Sequence, residues 1–231
     1  MAAVDDPRVL GTLPLFHGLA PAQLAQLNAL LHRRTVPGGT SLMLAEQPGE
    51  VAYLILSGTV KIHIEQANGM DVILGIRGRG EIVGEMSLVD RQGRSASVVT
   101  LEDCTLLWLD RPSFETCLQT MPALSINLVR LLARRLRLAN AQIQALAALD
   151  LYGRVARQLL SLAEEYGEPA PGGSILIPLR LTQSDLAGLV GASRVRVNEV
   201  MVAYKRRKYL SVDAQYRISV HNAAALARRC Q

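Results

Sequence analysis

The sequence has few cysteines and no long apolar run. Its three cysteines, Cys104, Cys117 and Cys230, are widely spaced and form no C-x-x-C pair, which argues against a disulfide framework or a zinc site. We expect them to be reduced thiols in packed positions. Charged residues interrupt every apolar stretch before the roughly 18 to 20 residues that a membrane span needs. The opening residues, MAAVDDPRVL, lack the basic and apolar regions of a secretory signal. The expectation is a cytoplasmic protein with no membrane partner.

The apolar content is nevertheless high, and one segment is strongly basic. Of the 231 residues, 49% are hydrophobic, which is enough for more than one packed domain. The formal net charge is +5. Six of the fifteen residues from Arg194 to Lys208 are Lys or Arg, against a single acid, Glu199. Such a cluster is a candidate surface for binding a polyanion.

The first half of the chain changes from a helical pattern to a strand pattern. From Pro21 to Leu31, apolar residues recur at helical spacing behind a proline suited to a first turn. Between Val36 and Leu109, short runs rich in Val, Ile and Leu alternate with turns, among them Asn68-Gly69. The runs are VAYLIL, TVKIHI, DVILGI, SASVVT and CTLLWL. This spacing predicts a β-sandwich or jelly roll, with a tight hairpin at Asn68-Gly69.

After Pro122, nearly thirty residues without Gly or Pro predict one long helix. Two apolar stripes follow it. One consists of Leu128, Leu132, Leu136, Ile143 and Leu146, and the other of Leu124, Leu131, Leu138 and Leu149. A helix that is apolar on two faces needs two surfaces to pack against. The sandwich and the same helix of a second copy would supply them, since the pattern also fits a coiled-coil seam. A core helix of a monomer is the alternative.

The remainder of the chain predicts a second domain, beginning near Leu149 and Asp150. Asp150 can cap the next helix, and SILIPLRL predicts a strand pair. LTQSDLAGLVGASRVRVNEV then predicts two helices: Thr182 caps the first, Gly191 ends it, and the second begins after Ser193. The inward face of the second helix comprises Val197, Val200, Met201 and Tyr204. A hairpin that follows Leu210 looks like a wing.

Two helices joined by a short glycine-containing turn form a helix-turn-helix, whose second helix enters the major groove. Arg194, Arg196 and Asn198 can make bidentate hydrogen bonds to base edges, while Thr182 and Ser193 are suited to phosphates. The candidate DNA-binding residues are Thr182, Gln183, Ser193, Arg194, Arg196, Val197, Asn198 and Lys205. An ordinary helical hairpin with a solvated basic face is the alternative.

A second candidate site lies between two predicted strands, in the segment GEMSLVDRQGRSA. A cyclic phosphodiester needs a cation, backbone N–H groups near a glycine, and an acceptor for a ribose hydroxyl. Arg94, Ser95, Gly84 and Glu85 supply those groups. The segment therefore predicts a site for a small phosphate-bearing effector.

With these motifs in this order, the chain resembles the Crp/Fnr superfamily from Leu15 through the final wing. The resemblance rests on GEMSLVDRQGRSAS, LARRLRLAN, LDLYGRVARQLLSLA and LTQSDLAGLVGASRVRVNEV. It implies an α+β protein with an eight-stranded jelly-roll sensor (1–122), a long dimerisation helix (123–149) and a winged helix-turn-helix domain (150–231). It also implies a homodimer that binds a palindromic DNA operator and has RNA polymerase as a partner.

The resemblance assigns roles within the effector site. Glu85 would hold the ribose hydroxyl, Arg94 and Ser95 the cyclic phosphate, and Arg135 would brace Glu85 from the long helix. The candidate effector-binding residues are Gly84, Glu85, Met86, Arg94, Ser95, Arg135, Ala139 and Asn140. Cyclic-AMP-responsive members usually carry Thr followed by Ser or Asn where this chain has Ala139 and Asn140. Cyclic AMP is the expected effector, and another cyclic nucleotide, a cyclic dinucleotide or no ligand are the alternatives.

Other functions fit the sequence less well. The recognition helix has Val195 and Glu199 where the catabolite activator pattern has Glu and a further Arg, so that operator is not carried over. The N-terminal cysteine cluster of iron–sulfur members is absent, and His63, within TVKIHI, is expected to be an ordinary strand residue. No G-x-S-x-G, H-E-x-x-H or Walker motif predicts an enzyme, so no catalytic residue, metal or required cofactor is expected. A cyclic-nucleotide regulatory subunit acting through protein contacts is the remaining alternative.

Overall fold

The computed structural model describes residues 3–66 and 71–230. The chain divides into two compact units, one of Met1–Ile64 with Gly75–Leu136 and the other of Glu65–Leu74 with Arg137–Gln231. The long helix contributes residues to both units. The hairpin predicted at Asn68-Gly69 lies outside the described residues.

The first unit is built on two four-stranded sheets. The strands of these sheets are β1 (His32–Val36), β2 (Ser41–Met43), β3 (Val51–Ser57), β4 (Val60–Glu65), β5 (Asp71–Arg77), β6 (Ile82–Val83), β7 (Ser97–Thr100) and β8 (Cys104–Asp110). Glu65 of β4 and residues 71–74 of β5 group with the second unit. One sheet has the order β1-β8-β3-β6 and the other β2-β7-β4-β5. This is the predicted jelly roll, and all five predicted runs form strands. The sequence does not predict β1, because only Val36 of its five residues is buried and the strand therefore has no apolar run.

Alternation along the strands produces two apolar layers, because successive side chains point to opposite faces of a sheet. Leu54 of β3 and Leu107 of β8 face the helices, whereas Ile55 and Leu106, their neighbours in the chain, face the other sheet. The helices are α1 (Pro21–Leu30), α2 (Glu85–Asp90), α3 (Arg111–Thr120) and α4 (Pro122–Ala148). The strand pattern thus places one sheet between the second sheet and a helical layer.

The long helix is present as one element, α4, but its apolar residues divide differently from the predicted stripes. The sequence predicts Leu128 on the same stripe as Leu136, yet Leu128 is buried in the helical layer with Leu124. The apolar residues of α4 that are exposed to solvent begin instead with Ile126 and Val129. Helical periodicity alone predicts the stripes, whereas the position of the sheet decides which side of the first turns is covered.

The second unit contains the remaining elements. They are α5 (Leu151–Tyr166), β9 (Glu168–Ala170), β10 (Ser174–Ile177), α6 (Gln183–Val190), α7 (Arg194–Arg206), β11 (Leu210–Val212), β12 (Ile218–Val220) and α8 (Ala223–Ala227). The sheet order is β11-β12-β10-β9. Asp150 caps α5 as predicted, since the Gly153 N–H donates to Asp150 Oδ1 at 2.7 Å.

The strand pair predicted within SILIPLRL is wrong in its second half. SILI forms β10, but its partners are β12 and β9, and residues 178–181 form no strand. Pro178 has no N–H to donate to a ladder. β9 lies in the segment predicted as a loop, and its Pro169 is tolerated because β9 is an edge strand.

Candidate functional site

Gly84 sets the geometry of the predicted effector segment. Its backbone is in the left-handed region, with φ of 82°, where glycine is favoured. A Cβ atom at this position would lie 2.4 Å from Met43 Cε and 2.6 Å from Arg94 Nη1. Gly84 also precedes α2, which occupies the first part of the segment that the sequence placed between two strands. Glycine therefore permits both the turn into α2 and the close approach of Arg94.

Arg94 is buried and its guanidinium makes three hydrogen bonds. Nη1 donates to the Gly84 carbonyl oxygen at 2.9 Å and to Ser87 Oγ at 2.8 Å, and Nη2 donates to the Val51 carbonyl oxygen at 2.6 Å. All three acceptors are neutral groups. Burial lowers the pKa of Arg94 from its usual value, because removal from water disfavours the charged form. A buried cation with neutral partners is a favourable place for an anion.

Glu85 is also buried, with 2% exposure. Arg135 of α4 reaches it: Nη1 lies 2.5 Å from Glu85 Oε1, and Nη2 donates to the Ile82 carbonyl oxygen at 2.5 Å. The contact that the resemblance implied between Arg135 and Glu85 is therefore present. It holds the carboxylate in one orientation at the start of α2.

The other predicted effector residues are exposed. Met86 is 48% exposed, and Ser95 Oγ lies 3.9 Å from Met86 Sδ. Ala139 and Asn140 are exposed positions of α4 that belong to the second unit. The structure thus joins Gly84 and Arg94 by a hydrogen bond and Glu85 and Arg135 by an ion pair, while effector contacts by the exposed residues stay predictions.

Ser87 and Gly49 complete the surroundings of Arg94, and the sequence did not indicate either of them. Ser87 Oγ donates to the Gly84 carbonyl oxygen at 3.2 Å. A Cβ at Gly49 would lie 2.1 Å from Ser87 Oγ and 3.2 Å from Arg94 Cζ, so only glycine allows the loop before β3 to pass there. Arg111 Nη2 donates to the Gly49 carbonyl oxygen at 2.5 Å. Gly49 lies far from the segment in sequence, and no local motif connects it to Arg94.

The first helix of the predicted helix-turn-helix has the expected N-terminal cap. The Asp185 N–H donates to Thr182 Oγ1 at 3.2 Å, and the Thr182 N–H and hydroxyl donate to Asp185 Oδ2 at 2.9 and 2.6 Å. Both donors of Thr182 are therefore engaged by Asp185, which is itself buried. The structure gives Thr182 a capping role, and its contact with phosphate stays a prediction.

A short turn separates α6 from α7, as predicted. Gly191 is left-handed, with φ of 61°, and Ser193 Oγ accepts from the Arg196 N–H at 3.4 Å. Arg194, Arg196, Ser193 and Lys205 are all exposed. Gln183 and Asn198 meet, since Gln183 Nε2 donates to Asn198 Oδ1 at 2.7 Å. This bond links the start of α6 to the exposed side of α7.

The inward face of α7 is the one predicted, and it corrects one DNA-binding assignment. Val197 is fully buried together with Val200, Met201 and Tyr204, so its side chain cannot contact DNA. It packs the helix against the rest of the unit instead. The Tyr204 hydroxyl donates to the Tyr152 carbonyl oxygen at 2.8 Å, which connects α7 with α5.

The predicted wing is the hairpin of β11 and β12, in which Leu210 pairs with Val220. Its turn is held by Asp213, whose Oδ2 accepts from Arg217 Nε at 2.7 Å. Hydrogen bonding from the Arg217 backbone N–H is the main cause that lowers the pKa of Asp213. Tyr216 is 48% exposed in the same turn.

The described residues offer little to a metal ion or to thiol chemistry. Within residues 3–66 and 71–230, no group of three or more His, Cys, Asp or Glu side chains could hold a metal. The cysteines are free. Burial raises the pKa of Cys104 to about 11 and also raises that of Cys117, so both thiols are poor nucleophiles. In the same residues, no helix has the length and apolar character that a membrane crossing requires.

Comparison with known proteins finds two family matches. Residues 33–121 match the cyclic nucleotide-binding domain, and residues 153–229 match the Crp-like helix-turn-helix domain. The first range includes Arg94 and Glu85, and the second includes α6, α7 and the wing.

Similar proteins span nearly the whole chain. A "CRP-like cAMP-activated global transcriptional regulator" of Mycobacterium tuberculosis is 33% identical over 223 residues, covering 96% of this chain and 99% of that protein. The "Cyclic AMP receptor protein" of Thermus thermophilus is 36% identical over 190 residues, covering 82% of this chain and 84% of that protein. Among solved structures, the c-di-GMP responsive global regulator CLP of Xanthomonas campestris has a TM-score of 0.71 at 26% identity, covering 87% of this chain and 99% of that one.

Proposed function

Because this chain belongs to the Crp/Fnr family of effector-gated, DNA-binding transcription regulators, we propose that a cyclic nucleotide bound at Arg94 and Glu85 controls its affinity for a palindromic operator. The proposal follows the predicted division into a sensor (1–122), a dimerisation helix (123–149) and a DNA-binding domain (150–231). The protein acts by binding, without catalysing a reaction, in the cytoplasm. Its partners are operator DNA, a second copy of the chain and RNA polymerase.

The observation that carries the proposal is the burial of Arg94 among neutral hydrogen-bond partners. Its guanidinium is buried and its hydrogen-bond partners are all neutral. A phosphodiester with one negative charge would provide the opposite charge that these partners lack, and charge-assisted hydrogen bonds are worth about 1.5–3 kcal/mol. Glu85, held by Arg135, offers an acceptor for a ribose hydroxyl nearby in the chain.

Cyclic AMP is the effector we propose first. Two relatives that are at least 33% identical are named for cAMP. A cyclic dinucleotide is the second candidate, because the Xanthomonas regulator is described as c-di-GMP responsive and Ala139 lacks the hydroxyl usual in cAMP-responsive members. No metal or further cofactor is part of the proposal.

A second copy of the chain is the proposed partner of α4. Ile126, Val129, Leu136 and Ile143 are 52–65% exposed, and they follow one another at intervals of three and then seven residues. Ala133 and Asn140, which lie between them, and Ala147, which follows Ile143, occupy the positions that complete a repeat of three and four residues. This is the heptad spacing of a two-stranded coiled coil, in which a single Asn at an a position sets the register. The row therefore supports a parallel pairing of two α4 helices.

Effector binding would act on the dimer as a whole. In a helix-turn-helix dimer the two recognition helices must lie about 34–36 Å apart to fit successive major grooves. An effector that binds one arrangement of the dimer more tightly shifts the population toward it. We propose that the ligand changes the fraction of dimers in which the two α7 helices have that spacing.

The test combines calorimetry with DNA binding. The purified full chain is titrated with cAMP, cGMP, c-di-GMP and c-di-AMP, and its affinity for a selected operator is measured at several salt concentrations with and without each ligand. One ligand should bind and change operator affinity, and DNA affinity should fall steeply with salt. Absence of binding by every cyclic nucleotide would contradict the effector assignment. Effector binding without salt-dependent DNA binding would favour a regulatory subunit that acts through protein contacts.

A further inference from the structure

Val195, in the first turn of α7, has the most exposed large apolar side chain in the part of the chain that the structure describes. Its exposure is 69%, whereas Val197, two residues later, is fully buried. A helix advances by about 100° per residue, so the two valines point in nearly opposite directions. The buried face of α7 comprises Val197, Val200, Met201 and Tyr204. Val195 therefore points directly away from the core of its unit.

Neither packing nor helix formation accounts for a valine at this position. Its side chain buries little surface in the unit, and a β-branched residue is less favourable in a helix than Ala, Glu, Lys or Arg. Its neighbours Arg194 and Arg196 are exposed and polar, so Val195 does not extend an apolar patch of the fold. An isolated exposed valine is common on protein surfaces, but this one lies where a recognition helix meets base edges.

We infer that Val195 is a specificity-determining residue that contacts the C5-methyl group of a thymine in the operator. Among the base edges of the major groove, the thymine methyl is the apolar group, and apolar side chains are its usual partners. Arg194 and Arg196 carry donors on either side of Val195 and suit the acceptors of neighbouring purines. The three residues together would read a thymine flanked by purines. This inference rests on the proposed function, because it requires α7 to enter the major groove.

The experiment removes methyl groups from each partner of the contact, from thymine in the DNA and from Val195 in the protein. An operator is first found by binding-site selection with the full chain and its effector. Each thymine of one half-site is then replaced by deoxyuridine, which lacks only the C5-methyl. At one thymine this change should weaken binding roughly fourfold, the effect of one buried methyl group. Val195→Ala should make that position insensitive to the replacement, and Val195→Thr, which keeps a methyl, should retain the sensitivity.

Val202→Ala is the matched control, because Val202 is a valine on the same face of α7 two turns later and is 36% exposed. Val202→Ala should keep the parent's response to deoxyuridine at every position. Equal responses of the parent and Val195→Ala at all thymines would overturn the inference and leave the proposed function intact. Failure of the parent to select any operator would overturn the proposed function, and the inference with it. All three variants should melt at the parent's temperature, which separates a lost contact from a lost fold.

Discussion

Arg94 and Glu85 are charged side chains in positions from which charge is normally excluded. Burying a charge carries a desolvation cost, which is offset differently at the two residues. Glu85 has an oppositely charged partner in Arg135, whereas the three acceptors of Arg94 are neutral. At the scale of single residues, the feature that distinguishes the proposed effector site is therefore a buried cation whose hydrogen-bond acceptors are all neutral.

Arg94→Ala should abolish the effector response without unfolding the protein. The substitution removes the proposed phosphate contact and leaves the apolar layers of both sheets unchanged. The loss of charge-assisted hydrogen bonds worth about 1.5–3 kcal/mol should weaken effector binding roughly ten- to a hundredfold, measured by calorimetry.

Arg91→Ala is the control for this variant. Arg91 belongs to the same segment, but its side chain is 73% exposed and pairs with Glu115 on the surface, where ion pairs contribute little. Its effector affinity should equal that of the parent. An unchanged affinity in Arg94→Ala would remove this segment from the proposed function.

At the scale of elements, α6 contains a glycine, although glycine is unfavourable inside a helix. Gly188 lies in the sixth position of α6, where glycine costs about 1 kcal/mol relative to alanine. A Cβ at Gly188 would lie 2.7 Å from Ile73 Cγ1 and 3.0 Å from the Asp71 carbonyl oxygen, both of β5. Ile73 is 1% exposed. Asp71 and Ile73 of β5, which group with the second unit, thus pack closely on α6.

Gly188→Ala distinguishes a helix that tolerates glycine from one that requires it. In an open helix the substitution would raise stability by about 1 kcal/mol. Because the new methyl group would overlap Ile73, we expect destabilisation by about 1–3 kcal/mol instead, measured by thermal or urea unfolding. Ser184→Ala, on an exposed position of the same helix, is the control and should not destabilise.

Removing the obstruction should rescue the variant. The double substitution Gly188→Ala with Ile73→Ala should be more stable than the sum of the two single effects predicts, because each change relieves the other. A higher melting temperature in Gly188→Ala alone would show that the close packing of β5 on α6 is not important for stability.

At the scale of the whole molecule, the relevant feature is the row of exposed apolar side chains along α4, which a single chain leaves open to solvent. Leu136 and Ile143 are 63% and 64% exposed, although each occupies a position that in a coiled coil would be covered. The same helix buries Leu124 and Leu128 inside the first unit. One side of α4 therefore belongs to the fold, and we propose that the other belongs to the dimer.

Ile143→Lys should convert the dimer into a monomer, because two lysines would face each other across the proposed seam. Light scattering after gel filtration should give twice the mass of one chain for the parent and the mass of one chain for the variant. Operator affinity should fall together with dimerisation. Ala148→Lys adds the same charge to the same helix outside the row and should remain dimeric. A dimeric Ile143→Lys protein would place the interface elsewhere.

Local sequence patterns determined much of this protein. The five apolar runs, the long helix without Gly or Pro, the caps at Asp150 and Thr182 and the left-handed Gly191 are all present in the structure. These features depend on residues close together in the chain, through hydrogen bonds from caps and the periodicity of apolar side chains. The segment around Arg94 was recognisable for the same reason, since its Gly, Glu and Arg lie within eleven residues of one another.

Tertiary structure alone decided the remaining features, because they arise between residues that are distant in the chain. Val51, at the start of β3, and Gly49, in the loop before it, lie against Arg94, and no motif of either segment indicates the other. The division of α4 into a buried and an exposed side depends on where the first sheet lies, so the stripe predicted for Leu128 is wrong. Val197 was a plausible DNA contact in a basic helix until the packing of α7 buried it. Packing selects one face of each helix, and a periodic sequence cannot specify which surface will cover that face.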